Sequence, residues 1–284
     1  MFSAFPRIAL AACFSGLLTI SAQETNIRMH SLSLMPAYTY YGSIDEIHSP
    51  YLYAGRSFSW MATYTIHRQA KFHTFSLGYA SLDRYPAHLP VSETVLLESY
   101  DNSRGSYLWP TTPSFLKKQT YWIQQNIDGY YQLPWHLFSD NWYMGYIEEL
   151  TVVNCPNLPM LELLSLSVGA TFYGLIPLTK NITYELNLHL FIVSLDVRNS
   201  YSSVDGYTGE GKNFSYYYNY FRRHTQLDGP WNHLAFAVHQ GINYRFSPCF
   251  ILQAGYRVMY RRLDMPRLLK SLLLSYQLGL QYAW

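Results

Sequence analysis

Charge is scarce in this chain, and long apolar runs are scarcer. Only 13% of its 284 residues are charged, against about a quarter in ordinary soluble domains. Beyond residue 22 no stretch approaches the ~18 consecutive apolar residues that a membrane-crossing helix requires. Helical spans are therefore excluded from that part of the chain. Cysteine is nearly absent: Cys13, Cys155 and Cys249 are the three in the sequence. None has metal-ligand or C-x-x-C spacing, and so few thiols cannot supply a disulfide framework. Also missing are G-x-S-x-G, H-E-x-x-H and a glycine-rich phosphate loop, so no cofactor or metal is expected. The formal charge is +2 with the signs mixed, which gives no electrostatic reason to expect a nucleic-acid partner.

Aromatic residues are plentiful instead. With 28 Tyr, 15 Phe and 7 Trp, 18% of the chain is aromatic. Tyr and Trp concentrate where a membrane meets water, because each ring joins an apolar body to a polar handle.

The first 22 residues read as a secretory signal. Arg7 is their single charge, Ile8 to Ile20 is apolar apart from small residues, and Ser21-Ala22 offers a cleavage site. Cleavage there would leave residues 23–284 as one domain with formal charge +1. Leu10-Ala11-Ala12-Cys13 offers a rival processing site that would lipidate Cys13, although the apolar segment before it is short.

The last segment shows the sharpest pattern. Leu272, Leu274, Tyr276, Leu278, Leu280, Tyr282 and Trp284 alternate with Leu273, Ser275, Gln277, Gly279, Gln281 and Ala283. Strict period 2 means one apolar strand face and one small or polar face. The run outlasts the ~5 to 6 residues of a typical soluble strand and suffices for the ~9 to 11 that cross a bilayer. The same alternation recurs from Leu32 to Tyr40, Phe58 to Ile66, His73 to Tyr79, Tyr121 to Leu133, Leu164 to Phe172, Ile182 to Ile192, Leu234 to Phe246 and Phe250 to Tyr260. Trp142 to Val153 is the weakest. There Glu148-Glu149 forces one carboxylate outward unless a β-bulge resets the register.

Ten strands follow, with eight or twelve as alternatives. Long links are expected near 42–55, 83–118, 153–160, 197–230 and 263–269, and short ones near 68–70, 134–141, 177–181 and 247–248. The expected fold is all-β: a single antiparallel transmembrane barrel, rather than a soluble sandwich or a lipocalin-like barrel. Hydrocarbon cannot satisfy backbone N–H and C=O groups, so strands cross it only within a closed, fully paired sheet.

The terminal aromatic Trp284, with Tyr282, Leu280, Leu278 and Tyr276 behind it at alternate positions, resembles the C-terminal signal of Gram-negative outer-membrane β-barrels. That resemblance implies an outer-membrane location, short periplasmic turns, long outside loops and recognition by the barrel-assembly machinery. It also implies outer-membrane lipid as a partner, with an extracellular ligand or a membrane protein as a further one.

Three constellations are candidates for function. Alternation places Glu185, His189, His239, Arg245, Arg257 and Arg261 on the inner face, as salt bridges filling a narrow barrel or as a constriction for an anionic solute. The segment 197–230 carries Tyr201, Tyr207, Phe214, Tyr216, Tyr217, Tyr218, Tyr220 and Phe221, an aromatic surface suited to binding or to packing on itself over the barrel mouth. Finally, Asp196, Asp228 and His233 gather near two outer strand ends, with Asp83 ending a third. Omptin-type proteases carry acids and an Asp-x-His pair at such a position. Here Asp228 and His233 are too far apart in sequence for that pair, and Asp83 is followed by Arg84. The Ser, His and Asn pattern of outer-membrane phospholipases is not found. The reading is a surface or accessory binding protein, with a narrow pore as the alternative and a membrane hydrolase behind both.

Overall fold

Period-2 alternation becomes strand throughout the computed structural model, which describes residues 29–45, 49–68, 71–87, 95–101, 105–111, 118–133, 141–154, 163–198, 225–264 and 268–284. Ten long strands are β1 (Met29–Asp45), β2 (Ser49–Arg68), β3 (Lys71–Pro86), β6 (Lys118–Gln132), β7 (Trp142–Asn154), β8 (Leu163–Pro177), β9 (Ile182–Val197), β11 (His233–Arg245), β12 (Phe250–Leu263) and β13 (Leu269–Ala283). Each pairs antiparallel with the next, and β13 returns to β1, so the sheet closes. Closure leaves the ten-strand ring without an open edge. Three short strands lie outside this count. β4 (Val95–Asp101) and β5 (Gly105–Thr111) form a hairpin of their own, and β10 (Thr225–Asp228) pairs with the last residues of β9.

Both barrel termini and the links 69–70, 133–141, 178–181 and 246–249 lie at one end, called here the turn end. The other links lie at the opposite end, the loop end, where β3–β6 and β9–β11 are joined by the longest segments and β1–β2 by a short one. The link expected at 42–55 is a correction, because β1 and β2 continue to Asp45 and from Ser49. Inward-facing Tyr41 and Tyr53 are both buried there, which extends the alternation past the predicted strand ends.

The faces follow the pattern in the sequence. Along the closing seam Leu32, Leu34 and Tyr38 oppose Tyr282, Leu280 and Tyr276, and all six are exposed on the outside. Between them Ser33 and Thr39 oppose Gln281 and Ser275 inside the barrel. Met35 and Pro36 drop out of this ladder. Pro36 has no N–H to give it, and Gly279 makes room: a Cβ there would lie 2.4 Å from Met35 Cγ. At the turn end Phe250, Tyr282 and Trp284 form part of an outer aromatic belt, with ring centroids 5.0 and 5.5 Å apart.

The β-bulge sits elsewhere than the acidic pair suggested. β7 runs without one, so Glu149 points inward and Glu148 outward. One shift lies between Ile44 and Asp45 near the end of the β1–β2 ladder, and another in the β8–β9 ladder, where Val168 pairs with Val193 and Gly169 with Phe191. Ile192 is the extra residue, and Ile192 and Val193 are both exposed outside. Beyond the bulge Ser194 and Asp196 therefore face inward.

Candidate functional site

The inner face divides along the barrel axis. Toward the loop end it is solid. Glu149 of β7 is fully buried, and Arg261 of β12 donates from Nη2 to its Oε1 at 2.6 Å. Thr151 Oγ1 donates to the same oxygen at 2.8 Å, and Gln124 Nε2 donates to Oε2. Such a pair persists in an interior because the extra hydrogen bonds offset the desolvation of two charges. Around it one buried cluster includes Leu82, Trp122, Ile147, Phe191, Met259 and Leu273. Nearer the rim Arg84 is fully buried, donating from Nε to Thr120 Oγ1 at 2.6 Å and from Nη1 to Ser43 Oγ, with its guanidinium 5.2 Å from the Tyr41 ring centroid.

Toward the turn end the lumen is hollow. A cup of about 860 Å³ opens between Lys180, Arg245, Cys249 and Trp284. Its walls carry small side chains, among them Ser33, Thr63, Ser76, Gly241 and Gly255. One side is aromatic: Phe72 and Tyr130 stack with centroids 4.4 Å apart, and Tyr173 lies 5.2 Å from Phe72. Tyr130 Oη accepts from Asn187 Nδ2 at 2.8 Å and from Thr171 Oγ1 at 3.3 Å.

Charged groups line the cup from its mouth to its blind end. Asp128 Oδ2 accepts from Thr74 Oγ1 at 2.9 Å, and lower down Glu185 Oε2 accepts from Asn243 Nδ2 at 2.7 Å. Arg257 is buried, its Nη1 3.7 Å from the Met61 thioether and its Nη2 without a partner. Both ring nitrogens of buried His189 and Nδ1 of His239 also lack one.

Five of the six lumen residues expected from the sequence thus share one cavity: Glu185, His189, His239, Arg245 and Arg257. Arg261 does not. Two steps of alternation beyond Arg257 carry it into the solid half, where Glu149 holds it. Sequence reasoning missed Glu149 as its partner and Asp128 and Tyr130 as members of the site. Alternation had put Asp128 and Tyr130 on the inner face, but the pairing register that joins them to Arg257 spans distant strands.

The loop-end acids behave differently from the hydrolase pattern. Asp196, Asp228 and His233 are all buried, with Asp228 opposite Ser194 in the β9–β10 ladder. Ser194 Oγ donates to Asp196 Oδ2, whereas neither ring nitrogen of His233 has a hydrogen-bond partner. No acid–histidine–nucleophile relay forms among these described residues. Asp83 alternates with fully buried Arg84 and so points away from the lumen, apart from the other two acids. The aromatic set Tyr201, Tyr207, Phe214, Tyr216, Tyr217, Tyr218, Tyr220 and Phe221 lies outside the described residues.

No family model matches the chain, and no curated protein does. Solved structures similar to it include the outer membrane protease OmpT from Escherichia coli, at 6% identity and TM-score 0.44, covering 94% of this chain and all of that one. The β domain of the Bordetella autotransporter BrkA matches at 9% identity and TM-score 0.38, covering 91% of this chain and 100% of that one. Neisserial surface protein A matches at 8% identity and TM-score 0.36, covering 89% and 96%. By its own strand pairing the chain has the architecture of an outer-membrane β-barrel: ten antiparallel strands, closed, with an apolar exterior.

Proposed function

We propose that this protein is an outer-membrane surface or accessory protein that binds a ligand and does not conduct. The supporting observation is the filled half-lumen around the Glu149–Arg261 pair, which leaves the cup without a continuation toward the loop end among the described residues. The turn end faces the periplasm in this reading and the loop end faces outward, so the aromatic segment 197–230 supplies a second, external binding surface. A narrow pore requires a water path where Phe191, Ile147 and Met259 are buried together. The omptin-like hydrolase reading calls for an acid–histidine pair, which His233 does not make with Asp196 or Asp228 among the described residues.

Conductance of the purified barrel in planar lipid bilayers tests this. The expected record is silent apart from rare, irregular events. Stable unitary channels from heat-modifiable protein would overturn the closed reading.

A further inference from the structure

The cup holds more hydrogen-bonding capacity at its blind end than the protein uses. A guanidinium carries five N–H donors and no acceptor. For Arg257, 6% exposed, the contacts shown are one thioether sulfur at 3.7 Å and nothing at Nη2. A neutral imidazole carries an N–H on one nitrogen and a lone pair on the other. With both nitrogens of His189 unpartnered, an open N–H donor is present in either tautomer. Leaving such buried groups unsatisfied costs about 1 to 3 kcal/mol each, so a partner supplied from the cup would be stabilising.

Asp128 and Glu149 lie close enough to act on the charge of Arg257, but no hydrogen bond to it from either acid of the cup is present among the described residues. Asp128 and Glu185 are hydrogen-bonded by Thr74 and Asn243 rather than by Arg257. Lys180, Arg245 and Arg257 supply three cations to the lining beside Asp128 and Glu185. Lys180 and Arg245 stand at the mouth, where exposed positive charge draws an anion inward. Asp128 Oδ1 and Asn126 Oδ1 remain as acceptors without donors, a place for hydroxyl or amino groups. The volume of about 860 Å³ falls within the ~300 to 1,000 Å³ of small-molecule sites.

We propose that this cup binds a small organic anion, a carboxylate or a phosphate ester bearing hydroxyl or amino groups, with its acidic group on Arg257 and His189. The proposal deepens the binding reading above and gives it a ligand class. The anionic group takes charge-assisted hydrogen bonds from the guanidinium and an N–H from the imidazole. The remaining polar atoms of the ligand face Asp128, Asn126 and the hydroxyl-rich wall.

The test is calorimetric titration of the full barrel in uncharged detergent with gluconate, glycerol phosphate, inorganic phosphate and, as the uncharged control, glucose. Saturable binding of gluconate or glycerol phosphate, and none of glucose, is expected. Stronger gluconate binding identifies a carboxylate ligand, and stronger glycerol phosphate binding a phosphate ester. Arg257→Gln should weaken binding by at least about tenfold, the scale of one charge-assisted bond. Arg262→Gln, on the exposed outer face, should leave it unchanged. Should Arg257→Gln not fold, Arg245→Gln at the exposed mouth still reads the proposal through a several-fold weaker binding. No saturable binding of any anion, or binding that Arg257→Gln and Arg245→Gln both leave intact, means the cup holds water alone and overturns the proposal. Bilayer channels would sink the closed-lumen reading without touching this result, whereas silent bilayers with no anion binding would sink the ligand site alone.

Discussion

One set of strands builds a solid half-lumen and a hollow one, and the difference lies in side-chain volume. Toward the loop end the inward positions of β6, β9, β12 and β13 carry Trp122, Phe191, Met259, Arg261 and Leu273. Toward the turn end the inward positions of β1, β2, β3 and β11 carry Ser31, Ser33, Thr63, Ser76 and Gly241. A ten-strand ring is slightly wider than the eight-strand size whose interior side chains can just fill. Large residues and one bonded ion pair therefore close it, and small residues leave it open. Charge is present in both halves, so polarity alone does not decide which is hollow. Glu149 is bonded at both oxygens, while unpartnered polar atoms occur in both halves: Arg257 Nη2 and the His189 ring nitrogens in the hollow one, Arg261 Nε and the His233 ring nitrogens in the solid one.

The largest effect is expected from breaking the solid half. Arg261→Ala leaves Glu149 buried without its cation and should cost about 3 to 5 kcal/mol, read by urea unfolding in detergent or lipid. His239→Ala in the hollow half should cost far less, since His239 Nδ1 makes no hydrogen bond. Equal losses would erase the distinction between the halves.

Next comes the contrast between inside and outside. Leu278→Arg places a cation against lipid and should cost about 2 to 4 kcal/mol near the midplane, while Gln277→Arg, one residue away on the inner face, should be milder. Similar loss of heat-modifiable barrel in both would refute the facing of β13.

A smaller change, of opposite sign, is expected at the acidic pair. Glu148 is exposed outside at the midpoint of β7 between Ile127 and Val168. Glu148→Leu should stabilise the folded barrel in lipid by about 1 kcal/mol, whereas Glu149→Leu should destabilise it. Urea midpoints moving in the same direction for both would mean that the register of β7 is wrong.

The smallest perturbation is labelling at the rim. Cys249 is exposed at the mouth of the cup, so in intact cells an impermeant maleimide should spare it and reach it after the outer membrane is permeabilised. Cys155, the expected outside thiol, lies outside the described residues. Labelling of Cys249 in intact cells would invert the sidedness of the two halves.

Strand positions and facing were legible in the sequence because hydrocarbon enforces a simple alternation, as in Leu272 to Trp284. The Glu148–Glu149 pair was legible as a conflict but not in its resolution. Whether a carboxylate turns outward or a bulge absorbs it depends on Arg261, more than a hundred residues away in sequence. The bulge at Ile192 left no trace in composition, since Ile192 and Val193 are both apolar and both suit the outer face. Of the candidate site, the inner-face residues were visible. The boundary between cup and solid half was not, because it follows from which residues share a level across ten strands.

The central claim is a lumen open from the turn end and shut from mid-height onward. In a background with Cys155 and Cys249 replaced by Ser, single cysteines at Ser33, Asn243 and Thr63 of the cup, and at Ala80, Ala235 and Ala237 of the solid half, can be probed with a small charged methanethiosulfonate. Rapid modification at the first three and none at the second three, in folded barrel, is the predicted result. Comparable modification at Ala235 or Ala237 would show water passing through the solid half and would contradict the account.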